Sequence, residues 1–400
     1  MDHIFRRLTH MNAIILAAGN STRMYESGAT IPKSLLPILR IPNIERTILM
    51  LHMLDIYKII IAVPFHSLQF DYLAEKYSCT IIHIPPESKN TLNSIHYLLE
   101  YISDSFIIEA DVVCSKNIFR TFKHSTYYVM KYPHPECDEW NVITDSNDNI
   151  IRFEIGTHLT AAIFGISFWA QKDCLMLKEY LKLQLQNGNA NEADFFWDDN
   201  IADLLGKICL KAYEIDSNTA CEMNTLLEYQ DAISLCKKML TSPNAYFDNS
   251  FIRKANTNFL ICSNNDKEKS LKWLEKLFVH YNEISVLKES YNYDYWYSPK
   301  ESVYILKDDT NQEVAFFSFI IEKKFILLRR LFIDSSFRGI GLGKVILNYL
   351  HLFSLSGNKE LRVNIYDDAA TTFYVHLGAK KLFSSYHWEL SGNNEGDKNE

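Results

Sequence analysis

The sequence predicts an α/β protein of two domains, a mostly parallel sheet covered by helices followed by a smaller α+β domain. Three observations carry that expectation. Short apolar runs alternate with amphipathic stretches over the first 110 or so residues, which means βαβ units. Two glycine-rich turns, at 16–24 and 338–343, each follow an apolar run. At 400 residues the chain is too long for one ordinary domain, and a polar stretch, 241–249, falls between the two turns.

In order, 12–16 reads as a buried strand, 43–56 as a helix, 58–63 as a strand, 68–77 as a helix and 80–84 as a strand. A helix at 91–101 and a strand at 105–109 follow, as a parallel sheet covered on both faces requires. From 124 the pattern changes to shorter strands, at 125–131, 140–144, 150–154 and 161–167, joined by turns such as 146–149. Helices return at 170–186, 198–206 and 225–239. The expected domains are 11–240 and 258–390, with 241–257 as linker and 391–400 as a disordered polar tail. There is no internal repeat.

Composition narrows the function. Apolar residues make up 47% and charged residues 22%, the balance of a soluble globular protein. The net charge of −8 does not suit phosphate-backbone binding, so nucleic acid is not an expected partner, and any phosphate site must gather its cations locally. The eight cysteines include no C-x-x-C pair and no zinc spacing, which implies reduced structural thiols. No apolar run is long enough to span a bilayer. Residues 1–10 lack an apolar core of signal-peptide length and read as a short arm or a start-site artefact. The expected compartment is the cytoplasm, the expected partners are small-molecule substrates with no membrane, and oligomerisation stays open.

The first turn runs Leu16, Ala17, Ala18, Gly19, Asn20, Ser21, Thr22, Arg23. Small residues let a ligand approach the backbone, and a turn at a strand's carboxyl end offers its N–H groups to phosphates. Arg23 adds a fork of donors. Lys33 follows, held between Pro32 and Pro37. L-A-A-G-x-x-x-R-M followed by P-K-x-L-L-P resembles the nucleotidyltransferases that activate sugars and small phosphates, a Rossmann-like family. The resemblance implies that the loop holds a triphosphate, with Arg23 and Lys33 on its phosphates. Asp111 ends the strand at 105–109, where a carboxylate faces the ligand crevice, and is the first expected Mg²⁺ ligand. The family's second ligand falls in the stretch Cys221 to Thr225. Asn224 stands there in place of the aspartate, with Glu222 or Asp198 as alternatives.

The motifs at 108–111, 116–119, 125–127, 138–140, 165–169 and 196–198 narrow the likeness to bacterial phosphocholine cytidylyltransferases. That resemblance implies CTP as nucleotide, read near Asn90 and Ser94. Trp140, Trp169 and Trp197 fall on these motifs, and aromatic faces beside Asp198 suit an ammonium group, although each tryptophan equally suits a core. Acceptors with a phosphate or phosphonate at one end and a cationic or amide end at the other fit: phosphocholine, phosphoethanolamine, 2-aminoethylphosphonate, or a phosphorylated amino-acid amide.

The second turn is Arg338, Gly339, Ile340, Gly341, Leu342, Gly343, Lys344, between a strand ending at Phe332 and Ile333 and an apolar helix at 345–353. Strand, glycine-rich turn and helix make a pyrophosphate cradle. No acidic residue ends a second strand, which argues against a dinucleotide fold. R-x-x-G-x-G, with the strand ending at Asn364 and the segment 369–379, resembles the GNAT acetyltransferases. The resemblance implies acetyl-CoA on the loop and Asn364, and Tyr374 protonating the leaving thiolate. A phenol's pKa, about 10, lies near a thiol's. Tyr374 also suits plain packing. No general base is identifiable; Glu283, Glu289 and Tyr291, Tyr293, Tyr295 and Tyr297 are candidates for lining an amine site. Two other accounts remain: a sugar-1-phosphate nucleotidyltransferase fused to an amino-sugar N-acetyltransferase, or a second half that only binds acetyl-CoA or a partner.

Overall fold

The computed structural model describes residues 11–19, 21–26, 28–88, 90–131, 139–156, 161–187, 195–280, 292–364, 368–382 and 385–388. In the first half the strands are β1 (Asn12–Leu16), the short pair β2 (Pro37–Ile38) and β3 (Ile41–Pro42), β4 (Lys58–Pro64), β5 (Thr80–Ile84) and β6 (Ser105–Glu109). Then come β7 (Val112–Cys114), β8 (Ser125–Met130), β9 (Glu139–Thr144), β10 (Ile150–Gly156), β11 (Ala162–Trp169), β12 (Leu210–Ile215) and β13 (Ala220–Glu222). The helices are α1 (Thr22–Glu26), α2 (Asn43–His52), α3 (Tyr72–Tyr77), α4 (Thr91–His96), α5 (Gln171–Gln186) and α6 (Leu226–Thr241).

The main sheet runs β10-β9-β11-β6-β1-β4-β5, with β8 between β11 and β12. Strands β6, β1, β4 and β5 are parallel, as the βαβ pattern demands. They are apolar throughout because both faces are covered: Ile15 and Ile108 belong to one core cluster, Ile14 and Ile107 to another. The expectation of a mostly parallel sheet needs correction. β11 runs antiparallel to β6, β8 and β9, so the sheet is mixed. The short connection between β9 and β10 makes those two an antiparallel hairpin, while β8 pairs in parallel with β12.

The second half holds α7 (Pro243–Phe247), β14 (Phe251–Lys254), β15 (Thr257–Ser263), α8 (Lys267–His280), α9 (Tyr293–Trp296), β16 (Glu301–Asp308), β17 (Glu313–Ile321) and β18 (Phe325–Ile333). It continues with α10 (Leu342–Ser356), β19 (Glu360–Val363), α11 (Asp368–His376), β20 (Ala379–Leu382) and β21 (Ser385–Trp388). These strands form one sheet, β14-β15-β16-β17-β18-β19-β21-β20. Only β18 and β19 are parallel, and they pair from Phe325–Glu360 to Leu328–Val363. On its other side β18 stays paired with β17 as far as Ile333. Among the described residues, 329–333 have no β19 partner.

The segment expected as a linker is folded. Its polar residues hydrogen-bond inward: Asn244 Oδ1 accepts from the Tyr304 hydroxyl (2.8 Å), and the Asp248 carboxylate accepts from Ser263 N and Oγ. Tyr246 and Phe247 are fully buried, and β14 forms the edge of the second sheet. One apolar core runs through both halves, from Ile48 and Leu51 of α2 by way of Met239, Tyr246 and Phe247 to Leu350 of α10. The expected arm at 1–10 and tail at 391–400 lie outside the described residues. No helix among the described residues is long and apolar enough to cross a membrane.

Arg46 of α2 ties the halves together. It is 1% exposed, and its Nη1 donates to Ser356 Oγ of α10 (2.8 Å) while Nη2 donates to the Cys114 carbonyl (3.1 Å). Arg46→Ala strips both acceptors of a charged donor and leaves a void, so it should cost about 2–4 kcal/mol in chemical denaturation. Ser356→Ala should cost about 1 kcal/mol. Equal, small losses for the two variants would contradict this account of the junction.

Candidate active site

The first site forms where β1, β6 and β13 end. The Leu16 carbonyl accepts from Ala110 N (3.2 Å), and Ala17 N is tied to the Ala62 carbonyl (2.8 Å), so the turn leaves the sheet between its two parallel neighbours. Ala18 is half-buried and Gly19 exposed; a Cβ added at Gly19 would meet nothing within 4 Å, so the turn borders open space. Asn20 lies outside the described residues. Ser21 takes a left-handed φ of 51° and its carbonyl accepts from Met24 N, which starts α1 at Thr22. Its Oγ lies 3.4 Å from Lys33 N, tying the turn to the Pro32–Pro37 segment.

Lys33 reaches across to two other elements. Its Nζ lies 2.5 Å from Asp111 Oδ2 and 2.9 Å from Asn224 Oδ1, and Arg23 Nη2 donates to the same Asn224 oxygen (3.0 Å). The ribbon of β7 and β13 brings these residues together: Val112 pairs with Glu222, which sets Asp111 near Asn224. Asn224 N donates to Glu228 Oε2 (2.6 Å), part of the capping box that starts α6. Asn43, at the start of α2, donates to the carbonyls of Ala110 (3.3 Å) and Val112 (2.8 Å), which pins the backbone on both sides of Asp111.

These residues fit a hard cation. Asp111 Oδ2 and Asn224 Oδ1 converge on the Lys33 ammonium, and Asp111 Oδ1 is buried without a hydrogen-bond partner. Two oxygen donors with room for phosphates and water suit Mg²⁺. Glu222, the alternative ligand, faces the adjoining cavity instead.

That cavity, of about 200 Å³, is lined by Glu109, Glu139, Asp198, Asp199 and Glu222 together with Tyr127, Trp140, Phe196 and Trp197. Removal from water and the charges of Asp111, Glu222 and Asp198 raise the Glu109 carboxyl well above its ordinary value. Glu222 is pushed to about 7 by burial and then by Asp111 and Glu139. Asp198 is raised to about 6 by burial, against the Tyr127 hydroxyl that donates to it at 3.0 Å. A Cβ at Gly165 would come 2.9 Å from Val112 Cγ2 and 3.1 Å from Glu109 Cβ, so only glycine leaves Glu109 its place in the wall.

Trp140 and Trp197 line this cavity as expected; Trp169 does not. It is fully buried, donates from Nε1 to Ser167 Oγ (3.0 Å), and packs edge-on against Tyr127 and Trp197. It supports the wall from beneath. Sequence reasoning missed Glu109, Glu139, Tyr127 and Phe196 as lining residues. For Glu109 the signal was an acidic residue closing an otherwise apolar strand. Asp138 lies outside the described residues. Asn90 caps α4 by accepting from Asn93 N (2.8 Å), and Ser94 Oγ turns back to the Asn90 carbonyl (3.2 Å).

In the second half, Gly339 (φ 78°) and Gly341 (φ 87°) take left-handed conformations, which carries the turn from β18 into α10. Ile340 is half-buried, Leu342 is buried in the core, and a Cβ on Gly343 would lie 3.0 Å from Phe373 of α11. Tyr374, beside Phe373, is buried with its helix packed on the turn. Arg338 folds back: Nε donates to the Ile333 carbonyl (2.8 Å), and its guanidinium lies over Phe332. Asn364 directly follows β19. Lys344 turns toward His52 of α2, whose pKa falls to about 4 through burial and that charge. Among the other expected residues, Tyr297 is buried with its hydroxyl on the Ser270 carbonyl, and Tyr293 stacks on it. Glu283, Glu289 and Tyr291 lie outside the described residues.

The family of MobA-like NTP transferase domains matches residues 13–127. A choline-phosphate cytidylyltransferase of Haemophilus influenzae is 34% identical over 220 residues, 55% of this chain and 94% of that protein. A 2-aminoethylphosphonate cytidylyltransferase of Lancefieldella rimae is 27% identical over 54% of this chain and 89% of its own length. The solved structure of the CTP:phosphocholine cytidylyltransferase of Streptococcus pneumoniae is similar with a TM-score of 0.52 at 26% identity, covering 56% of this chain and 99% of that one. The first half therefore has the Rossmann-like nucleotidyltransferase fold.

The raised Asp198 carboxyl has a consequence for stability. An acid whose folded pKa exceeds its unfolded value carries no penalty below about pH 4 and loses stability as pH rises through about 6. Asp198→Asn should therefore gain up to about 2 kcal/mol on the wild type between pH 4.5 and 7.5. Denaturation midpoints at the two pH values measure this; a pH-independent difference would show that Asp198 is not raised.

Proposed function

The chain belongs, through its first half, to the choline-phosphate cytidylyltransferase family, and on that premise we propose that it transfers CMP from CTP to a small phosphorylated amine or aminophosphonate, releasing pyrophosphate. The observation that carries this reading is the Lys33 ammonium held by Asp111 and Asn224 beside a cavity walled with carboxylates and tryptophans. A phosphate or phosphonate oxygen of the acceptor attacks the α-phosphorus of CTP and the α–β bridging bond breaks. Those oxygens are already ionised at neutral pH, so no general base is needed. Asp111 and Asn224 would hold Mg²⁺, which when bound supplies charge neutralisation at the triphosphate. Arg23 and Lys33 stabilise the charge that develops on the leaving pyrophosphate, and residues 16–22 hold the triphosphate through backbone N–H groups. Asn90 and Ser94 border the base. Trp140, Trp197 and Asp198 take the acceptor's cationic end. A sugar phosphate without an amino group offers this cavity no positive charge, which disfavours the sugar-nucleotide account for neutral sugars.

For the second half we propose an acetyl-CoA-dependent N-acetyltransferase. The left-handed turn at 338–343 between β18 and α10, with β19 paired to β18 from Phe325–Glu360 to Leu328–Val363, supports that reading. The turn would offer N–H groups to a pyrophosphate, and Asn364, which follows β19, would meet the pantetheine arm. Tyr374 is the proposed proton donor to the thiolate. The units proposed are 11–240 and a second that begins with α7 rather than after a linker.

Lys33→Ala and Asp111→Ala should each lower kcat/KM for CTP-dependent pyrophosphate release by about 10²–10³ while the fold is kept, as circular dichroism can check. Chelation of divalent metal should abolish the reaction. Activity near wild type in both variants would end the proposal. Gly341→Val should abolish acetyl-CoA binding without changing pyrophosphate release, because φ of 87° excludes a β-branched residue and Lys254 Cε lies 3.1 Å from the position of the added Cβ.

A further inference from the structure

The acceptor cavity bears on the order in which the two halves act. Resting on both readings above, we propose that cytidylyl transfer comes first, on an acceptor carrying a free primary ammonium, and that the second half acetylates the amine of the cytidylylated product. An acceptor acetylated beforehand is a dead end for the first site.

The argument is one of charge and hydrogen bonding. Five carboxylates, Glu109, Glu139, Asp198, Asp199 and Glu222, share the cavity wall with Trp140 and Trp197, and no lysine or arginine is among the described lining residues. A small cationic group satisfies this wall twice, through carboxylate oxygens and through indole faces. A primary ammonium adds three N–H donors, and carboxylates accept them well. A quaternary ammonium has no N–H to give and no nitrogen that can be acetylated. N-acetylation removes the positive charge and two of the three donors and adds an acetyl group to a cavity of about 200 Å³. The carboxylates would then lose water without gaining a counter-charge, which is the costly case.

Cytidylylation touches only the other end of the molecule. The acceptor oxygen bonds to the α-phosphorus, pyrophosphate departs, and the ammonium is unchanged. Acetylation can follow: the ammonium gives one proton to solvent, the nitrogen attacks the thioester carbon and sheds a second proton, the C–S bond breaks, and the departing thiolate takes up one proton. The reverse order spends the charge that the first site recognises.

The test uses the full chain with Mg²⁺ and CTP. Pyrophosphate release is compared for 2-aminoethylphosphonate, phosphoethanolamine, their N-acetyl derivatives and phosphocholine. Thiol release from acetyl-CoA is followed on the primary amines and on their cytidylylated products. The expected result is a kcat/KM at least about a hundredfold lower for the N-acetyl acceptors, with thiol release on the cytidylylated amines. Asp198→Asn should shrink the amine-to-acetylamine ratio by about tenfold. That ratio is internal to one preparation, so partial misfolding does not move it. The order is overturned if N-acetyl acceptors match the free amines, if phosphocholine is used and primary amines are not, or if cytidylylated amines release no thiol. Absence of pyrophosphate from every acceptor would instead overturn the cytidylyltransferase reading itself.

Discussion

The contact between the Lys33 ammonium and the oxygens of Asp111 and Asn224 requires three distant backbone segments to end at one point. Each is placed by a separate device. Lys33 sits in a single 3₁₀ turn after Pro32, Asp111 follows β6 with Asn43 bonded to the carbonyls on both sides, and Asn224 precedes a capped helix on the strand that pairs with β7. A half-buried ion pair is a poor source of net stability, because desolvation offsets most of the Coulomb gain. What this backbone arrangement achieves is the convergence of two oxygens from separate segments on one ammonium position.

The same reasoning extends to the cavity. Carboxylates in one wall oppose each other's ionisation, and Glu109, Asp198 and Glu222 all lie above their ordinary values for that reason and because water is excluded. The fold works to keep them there. Gly165 leaves space for Glu109, and Trp169 props Trp197 and Tyr127 from below. A cation brought against this wall favours the ionised carboxylates that burial and mutual repulsion oppose.

Much of this was legible in the sequence. The strands at 12–16, 80–84 and 105–109 coincide with those expected, because an apolar run between turn residues has one reading when helices flank it. Motif spacing singles out Lys33, Asp111 and the substituted Asn224, and contacts between residues far apart in the chain bring them together. What failed depended on depth and on partners. Trp169 and the lining residues Gly165 and Ser167 share one face of β11, and sequence alternation assigns the face correctly. Only packing decides that Trp169, about 7 Å further along, lies below the floor and not in it. The segment 241–257 misled for a different reason. Its polar residues serve the caps and strands around them, while two adjacent aromatics, too few for a periodic signal, carry the burial.

Helix α2 connects the two halves in a way that neither motif suggests. Its first residue holds the frame of Asp111, and its last residue, His52, lies close enough to Lys344 to feel that charge. Just beyond, Asp55 grips Lys254, whose side chain rests against Gly341. Ten residues of helix span about 15 Å, so one short rod runs from the backbone around Asp111 to the charge of Lys344. Arg46, midway along it, bonds to α10, and the core passes through it unbroken. Flexible tethers let two sites move independently; a shared buried helix does not.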